Sequence, residues 1–233
     1  MYESLPLDRY YDSGFGAIAD SFKEAATELK ASYHRVKTNG HLPIAYLYRH
    51  SIELYLKGLI ITIHKRIKRQ QGWELCFPEP KIPREDGHGE TMYSIHDISI
   101  LYSYASSLFL ENKLDEVTGL NNVFGSETGS KVERIKGVDS KSQFFRYPTN
   151  RSKSHEKEKS ALKETTYKEV VDLAIKNNKP MASIRTEKLA GRDVQVFVHD
   201  DSFTASIIDD LSDVAETLGL CHSILMRSLG KGF

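Results

Sequence analysis

The chain has 233 residues, of which 39% are hydrophobic and 27% are charged, and its 32 basic residues balance its 32 acidic residues. This composition argues against fibrous and disordered classes, and the length suffices to bury a core in one domain. A formal net charge of zero also excludes a global positive field, so any nucleic-acid site must depend on local patches.

The first predicted helix runs from a cap at Asp12 or Ser13 to about Tyr33. Its apolar residues recur at spacings of three and four, which predicts one buried stripe made of Phe15, Ile18, Phe22, Ala25, Ala26 and Leu29. Asn39, Gly40 and Pro43 then supply a turn and the start of the next helix.

The second predicted helix, residues 42–68, is apolar on most sides but carries Arg49, Glu53 and Lys57 four residues apart. This spacing places the three charges on one face. Two explanations remain open. The charges can form a ladder of ion pairs on a solvent-exposed face. Alternatively, Arg49 and its neighbour His50 face a cleft, where Arg49 binds a phosphate and Glu53 orients it.

Prolines and glycines in residues 69–92 predict a long irregular connection. A third helix begins near Ser94, where Ser94 and Asp97 resemble a capping box, and a fourth segment follows over residues 114–138. Three glycines interrupt that segment, so one broken helix or two short helices both fit. His96 and Asp97 are either helix caps or site residues.

Arg146 lies between aromatic residues directly before Tyr147 and Pro148, and this proline ends any preceding helix. The frame is stiff and allows a guanidinium to stack on a ring. Arg146 therefore either pairs with Glu53 or Asp97 in the interior, or contacts an anion. Residues 151–201 form a loop-rich insertion, in which VQVFVHD alternates like a short strand or an extended arm.

A clear final helix begins with a cap at Ser202 and extends to about Met226. Its predicted buried stripe consists of Ile208, Leu211, Ala215, Leu218, Cys221, His222 and Leu225. Together these elements predict an all-α fold: one domain over residues 1–233, organised as an up-and-down bundle of four to five long helices, with the insertion before the last helix.

The two cysteines, Cys76 and Cys221, lack metal-site spacing, and no uncharged run is long enough to span a membrane. We therefore expect a reduced, cytoplasmic protein without a membrane partner. Signatures of P-loop, dinucleotide-binding, metalloprotease and serine-hydrolase sites are missing. The residues predict neither a metal nor a cofactor.

Three segments carry a resemblance to a known family: LYRHSIELYLKGL, HDISILY and DSKSQFFRYP. Their pattern resembles the HEPN superfamily of prokaryotic helical proteins over residues 42–148. The resemblance implies a helical bundle, often a homodimer, that belongs to a toxin–antitoxin, phage-defence or RNA-processing system. An antitoxin or a nucleotidyltransferase is the implied protein partner.

Catalytic members of that family are metal-independent ribonucleases that use an arginine and a histidine at a short spacing. Histidine can accept the proton of the ribose 2′-hydroxyl, and arginine can stabilise the charge that develops on the phosphate. Carried over to this chain, the resemblance implies Arg146, Arg151 and His155 as catalytic candidates. Here eight residues separate Arg146 from His155, and three separate Arg151 from His155, so neither spacing is that of the catalytic members.

Two alternatives to a nuclease stay open. In the first, the chain is a non-catalytic HEPN-like module that binds a nucleotide, RNA or a partner protein. Its internal polar network then consists of Arg49, His50, Glu53, Lys57, His96, Asp97, Arg146 and Tyr147. In the second, the chain is a dimerisation domain whose insertion, residues 151–201, contacts the partner.

Overall fold

The computed structural model describes residues 6–32, 39–72, 78–84, 87–147, 156–166, 168–169, 172, 185–187 and 195–229. In these residues the chain forms short 3-10 turns at Leu7–Arg9 and Met92–Ser94 and a series of α-helices. The helices are α1 (Phe15–Ala31), α2 (His41–Gln70), α3 (Ile98–Glu111), α4 (Leu114–Thr118), α5 (Ser126–Asp139), α6 (Glu156–Lys159) and α7 (Ser202–Leu229). The prediction of a mainly helical protein is confirmed.

Two small antiparallel sheets accompany the helices. In the first, β1 (Lys81–Pro83) pairs with β2 (Gly89–Thr91). In the second, β3 (Leu162–Thr165), β4 (Arg185–Glu187) and β5 (Gln195–His199) have the order β3-β5-β4. The strand alternative for VQVFVHD is thus confirmed as β5, whereas the hairpin within residues 69–92 and the other two strands of the insertion were not predicted.

Helix α2 lies at the centre of the molecule because nearly all of its faces are covered. It packs mainly against α1 and α7, and also against α3. Ile52, Leu56 and Leu59 are each fully buried there, and burial of one such side chain stabilises the fold by about 1.5–3 kcal/mol. Within the described ranges, no helix combines the length and apolar character needed to cross a bilayer.

The buried stripe predicted for α1 is confirmed only in part: Ala26 is fully buried and Phe15 and Leu29 pack against the core, but the buried face is shifted toward Ala19. The fully buried apolar residues are Ala19 and Ala26, whereas Ile18 and Ala25 are exposed and Phe22 is half-buried. The two alanines are seven residues apart and therefore lie on one side of the helix. Small side chains at the contact let α1 approach α2 closely, and this determines which face is covered.

The cap predicted at the start of α3 is confirmed in part. Asp97 caps α3 by accepting hydrogen bonds from the Ser99 backbone amide (2.9 Å) and the Ser99 hydroxyl (2.7 Å). Ser94 takes no part, because it lies in the preceding 3-10 turn and its hydroxyl contacts Glu90 and the Thr91 carbonyl. The predicted capping box is therefore wrong, although the cap at Asp97 is present.

The fourth predicted segment is two helices, α4 and α5, with Gly119 ending the first. The stripe predicted for the final helix is confirmed, because every one of its seven residues is buried on α7. One of them, Cys221, is a free thiol whose pKa is raised by burial to about 12. It is therefore an inert core residue rather than a reactive one.

Candidate functional site

The charged stripe of α2 is enclosed by protein. Arg49, Glu53 and Lys57 expose only 0%, 2% and 4% of their surface, respectively. The Arg49 guanidinium donates to Glu53 Oε2 at 2.5 Å, and the Lys57 ammonium donates to Glu53 Oε1 at 2.8 Å. The ladder of ion pairs is present, but the prediction that it lies on a solvent-exposed face is wrong. Burial is tolerated because one carboxylate pairs with both cations.

His96 joins this network from the segment that precedes α3. Its Nδ1 lies 2.9 Å from Glu53 Oε1, and its backbone carbonyl accepts a hydrogen bond from the Arg49 guanidinium. More than half of the His96 side chain, 54%, remains exposed. His96 thus connects the enclosed charges to the surface of the molecule.

The ionisation of Glu53 determines which ring nitrogen of His96 carries the proton. Burial alone would raise the pKa of Glu53, but the charges of Lys57 and Arg49 outweigh it and leave that pKa lowered. Glu53 is therefore a carboxylate at neutral pH and can only accept hydrogen bonds. His96 Nδ1 must be the donor, so the lone pair of the neutral ring is on Nε2.

Asp139, the last residue of α5, is part of the network and was not predicted. Its Oδ2 lies 3.4 Å from Arg49 Nε, and its Oδ1 accepts from the Gln143 and Phe144 backbone amides at 2.6 and 2.9 Å. Burial raises the pKa of Asp139 despite these contacts. The signal in the sequence was its position at the head of DSKSQFFRYP, where it fixes the turn that leads to Arg146.

Arg146 and His50 both contact the ring of Tyr46, which lies four residues before His50 on α2. The Arg146 guanidinium lies 5.5 Å from the centroid of Tyr46, and the Tyr46 and His50 rings are stacked at 5.8 Å with an angle of 6°. Phe22 closes the other side of His50, edge to face. Because Arg146 is exposed, it is not the interior partner of Glu53 or Asp97 that the sequence allowed.

His50 is held neutral in this stack. Burial lowers its pKa, and the nearby positive charges of Arg49 and Arg146 act in the same direction, against the raising effect of Glu53. Its Nδ1 is enclosed and has no hydrogen-bond partner among the residues that the structure describes.

Of the remaining candidate residues, two lie in the described part of the chain and two do not. Asp97 serves as the cap of α3, and Tyr147 is half exposed next to Arg146. Arg151 and His155 lie outside the described residues. Within the described residues, no group of three or more histidine, cysteine or acidic side chains could hold a metal ion.

The structure thus brings Arg49, Glu53, Lys57 and His96 into one network. Tyr46 and His50 lie on the same helix, α2, and Arg146 contacts Tyr46 from another part of the chain. His96 and Arg146 are exposed in this region, and His50 and Tyr46 are half-buried. We call these four residues the α2 face. Comparison with models of known protein families, with curated proteins and with solved structures found no significant match.

Proposed function

We propose that this chain is a HEPN-like protein that acts as a metal-independent endoribonuclease in a bacterial toxin–antitoxin, phage-defence or RNA-processing system. One observation carries the proposal: the three segments behind the resemblance meet around one buried guanidinium, that of Arg49. Glu53 and Arg49 come from the first segment, His96 from the second and Asp139 from the third. In this proposal the helices form an up-and-down bundle of four to five long helices in a cytoplasmic protein.

His96 is the proposed proton acceptor. Its Nε2 lone pair takes the proton of a ribose 2′-hydroxyl, and the 2′-oxygen attacks the adjacent phosphorus. The bond from phosphorus to the 5′-oxygen breaks and water gives this oxygen a proton, which leaves a cyclic phosphate on one product and a 5′-hydroxyl on the other. Glu53 holds the ring in this tautomer through Nδ1. Arg49 and Lys57 cannot contact the phosphate, because both are enclosed and paired with Glu53.

Arg146 is the proposed phosphate contact, since it is the exposed cation of the α2 face. Tyr46, which it covers, and Glu53, which holds His96, are seven residues apart on α2, or about 10 Å along the helix axis. That separation favours neighbouring phosphates of one RNA strand, or a site completed by a second copy of the chain. A homodimer is therefore part of the proposal, and Arg151 and His155 remain alternative catalytic residues.

Cleavage of labelled RNA in the presence of EDTA tests the proposal. We expect the full chain to cut RNA without metal, and we expect His96→Gln and Arg146→Ala to lower the rate at least about a hundredfold. Lys141→Ala removes an exposed cation five residues before Arg146 and is the matched control, with an unchanged rate. His155→Ala in the same assay tests the alternative base.

A specific observation favours a second candidate, the non-catalytic module. Two of the cations in the network are buried, and the contacts of Arg49 reach all three motif segments, as expected of groups that fix helix packing. In that case the α2 face binds RNA, a nucleotide, an antitoxin or a nucleotidyltransferase without cutting. RNA binding that Arg146→Ala weakens, with no cleavage above background in any variant, would establish the module and refute the nuclease.

A further inference from the structure

The last two turns of α2 carry cations that surround Tyr11. The Lys65 ammonium lies 5.6 Å and the Arg69 guanidinium 5.5 Å from the centroid of the Tyr11 ring. Burial raises the pKa of the Tyr11 hydroxyl, and the positive charges of Arg69 and Arg66 oppose this effect, so both arginines lie near that hydroxyl. We call Lys65, Arg66, Arg69 and Tyr11 the basic end of α2.

Two cations of the basic end lack a counter-charge. The Lys65 ammonium donates to the Tyr11 carbonyl at 2.8 Å and to the Ser13 hydroxyl at 3.4 Å, and both groups are uncharged. Among the residues that the structure describes, no carboxylate forms an ion pair with Lys65 or Arg66. The buried carboxylate of Asp12 acts on Lys65 only from beyond ion-pair distance. The helix dipole favours cations at this end whatever their function, so the charge alone does not identify a ligand.

A second observation, an exposed aromatic ring, points to the ligand. Tyr93 exposes 47% of its surface, and the centroid of its ring lies 5.8 Å from that of Phe15. Phe15 begins α1, four residues after Tyr11, so the start of α1 connects the Tyr93 ring to the basic end. Proteins bind single-stranded nucleic acid with cations beside exposed rings, because the bases stack on the rings and the cations contact the phosphates.

Tyr93 also lies between the basic end and the proposed proton acceptor, His96. Its carbonyl accepts from the Lys57 ammonium at 3.3 Å, one turn of α2 after Glu53, which bonds to His96. Glu53 and Lys65 are twelve residues apart on α2, or about 18 Å along the helix axis. His96, Tyr93 and the basic end thus follow one another along the same helix.

Glu79 limits where the phosphates of such a strand can lie. Burial raises the pKa of the Tyr93 hydroxyl, and the negative charge of Glu79 adds to this effect. The same charge repels a phosphate next to the Tyr93 ring but not an uncharged base. We therefore expect the base at Tyr93 and the phosphates at the basic end.

We propose that an unpaired RNA strand binds along this surface, with a base stacked on the Tyr93 ring and neighbouring phosphates at Lys65 and Arg66. The inference rests on the proposed function, because it follows the strand away from the bond that is cut beside His96. It also specifies the substrate as single-stranded RNA, since the bases of a duplex are stacked on one another and cannot reach Tyr93.

A labelled oligouridine of about ten nucleotides with 2′-O-methyl sugars separates binding from cleavage, because it lacks the nucleophilic hydroxyl. Fluorescence anisotropy with the full chain gives its affinity. Tyr93→Leu keeps an apolar contact with Phe15 but cannot stack on a base, so we expect at least about fivefold weaker binding and an unchanged melting temperature. Tyr93→Phe keeps the ring and should bind as the wild type does. Equal affinities for Tyr93→Leu and the wild type would overturn the proposal.

Arg66→Gln tests the phosphate contact through the salt dependence of binding. Loss of one phosphate contact should reduce the slope of log affinity against log salt concentration by about 0.7. Lys113→Gln, which removes an exposed cation beyond the far end of α3, should leave that slope unchanged. An unchanged slope for Arg66→Gln would refute the contact between the basic end and RNA.

Cleavage is measured separately, with unmodified RNA. A wild type that binds the methylated probe in this way but cuts no RNA would refute the ribonuclease and support binding along this surface. A wild type that cuts RNA, while Tyr93→Leu and Arg66→Gln bind the probe normally, would support the ribonuclease and refute the inference. A methylated duplex that binds as tightly as the single strand would also refute it.

Discussion

At the scale of single residues, Glu53 is the group on which the network depends. It accepts from Arg49, Lys57 and His96, so its removal takes away the counter-charge of the enclosed Lys57 and leaves Arg49 with only the more distant Asp139. We expect Glu53→Gln to lower the free energy of unfolding by about 3–5 kcal/mol, measured by urea denaturation.

Glu133→Gln provides the comparison for that measurement. Glu133 pairs with Lys136 at 3.4 Å on the surface, where both side chains are well exposed. Its loss should change the free energy of unfolding by no more than about 0.5 kcal/mol. Similar losses for the two variants would mean that the enclosed carboxylate has no special role in stability.

Asp12 supplies a pH-dependent contribution to stability. It is fully buried, and it bonds to His222 Nε2 at 2.9 Å and to the Gly14 and Gly16 amides. Burial alone would raise the pKa of Asp12, but the hydrogen bond and charge of His222 outweigh it, so that pKa is lowered. The folded state therefore favours the carboxylate, and this stability is present above the pKa of the unfolded chain.

The lowered pKa of Asp12 can be tested directly. As the pH falls from about 4 through the lower folded-state pKa, the contribution of Asp12 should disappear. We expect Asp12→Asn to cost about 1.5–3 kcal/mol near neutral pH and progressively less below pH ~4, measured by thermal unfolding followed with circular dichroism. Asp213→Asn, at a surface ion pair with Lys131, should show no comparable trend. A cost for Asp12→Asn that does not vary with pH would contradict the assignment.

At the scale of secondary-structure elements, a glycine sets the contact between α2 and α7. A methyl group added at Gly219 would lie 3.0 Å from the ring and hydroxyl of Tyr55. Tyr55 is fully buried, and its hydroxyl donates to Asp20, so the ring has no room to move. We expect Gly219→Ala to destabilise the protein by about 1–3 kcal/mol, measured by urea denaturation.

Gly137→Ala is the control for helix propensity. Gly137 lies in α5, and no atom of the described ranges is within 4 Å of the methyl group that the substitution adds. This variant should gain about 0.4–1 kcal/mol. If both glycine variants were stabilised, close packing of α2 on α7 would not be the reason for Gly219.

The long helices could be predicted from the sequence because their apolar residues repeat over many turns. The seven-residue stripe of α7 needed nothing beyond that period, whereas the start of α2 was also indicated by the turn residues Asn39, Gly40 and Pro43. Apart from β5, which the alternation in VQVFVHD indicated, the strands could not be predicted in the same way. β1 and β2 have three residues each in a proline- and glycine-rich stretch, and twenty-nine residues separate the end of β3 from the start of β5. Such short strands form only when a partner is present.

In the candidate site, likewise, the sequence predicts what local spacing determines but not the contacts between distant parts of the chain. Four-residue spacing placed Arg49, Glu53 and Lys57 on one face, but only tertiary structure reveals what covers that face. The cover comes from the His96 carbonyl and from Asp139, which lie 47 and 90 positions after Arg49 in the chain. The role of Asp139 was missed for this reason, since no local pattern connects it to Arg49.

At the scale of the whole molecule, the chain enters and leaves the insertion at nearly the same point. The Asp200 amide donates to the Ala161 carbonyl at 2.8 Å, and Leu162 is paired with His199 directly beyond it. Lys159 anchors the entry, because its carbonyl oxygen lies within hydrogen-bond distance of His41 and its ammonium donates to the Tyr147 carbonyl. The helices therefore do not rely on residues 163–198 to hold the two ends together.

Replacement of residues 163–198 by a four-residue glycine-rich turn tests this independence. Shortening the loop lowers its closure entropy by about 2 kcal/mol, so we expect the helical circular-dichroism signal and cooperative urea unfolding to persist. Deletion of α5, which carries Asp139, is the contrasting change and should abolish cooperative unfolding. Loss of cooperativity in the first variant would show that the insertion is required for folding.

Because the two ends of residues 163–198 are adjacent, this point of the chain is also a suitable site for inserting another domain. A fluorescent domain whose own termini lie close together could be spliced between Leu162 and His199 without pulling the helices apart. Its emission would then report on neighbouring molecules while both ends of the polypeptide stay unmodified. Such a fusion would succeed only if the backbone hydrogen bond from the Asp200 amide to the Ala161 carbonyl were kept.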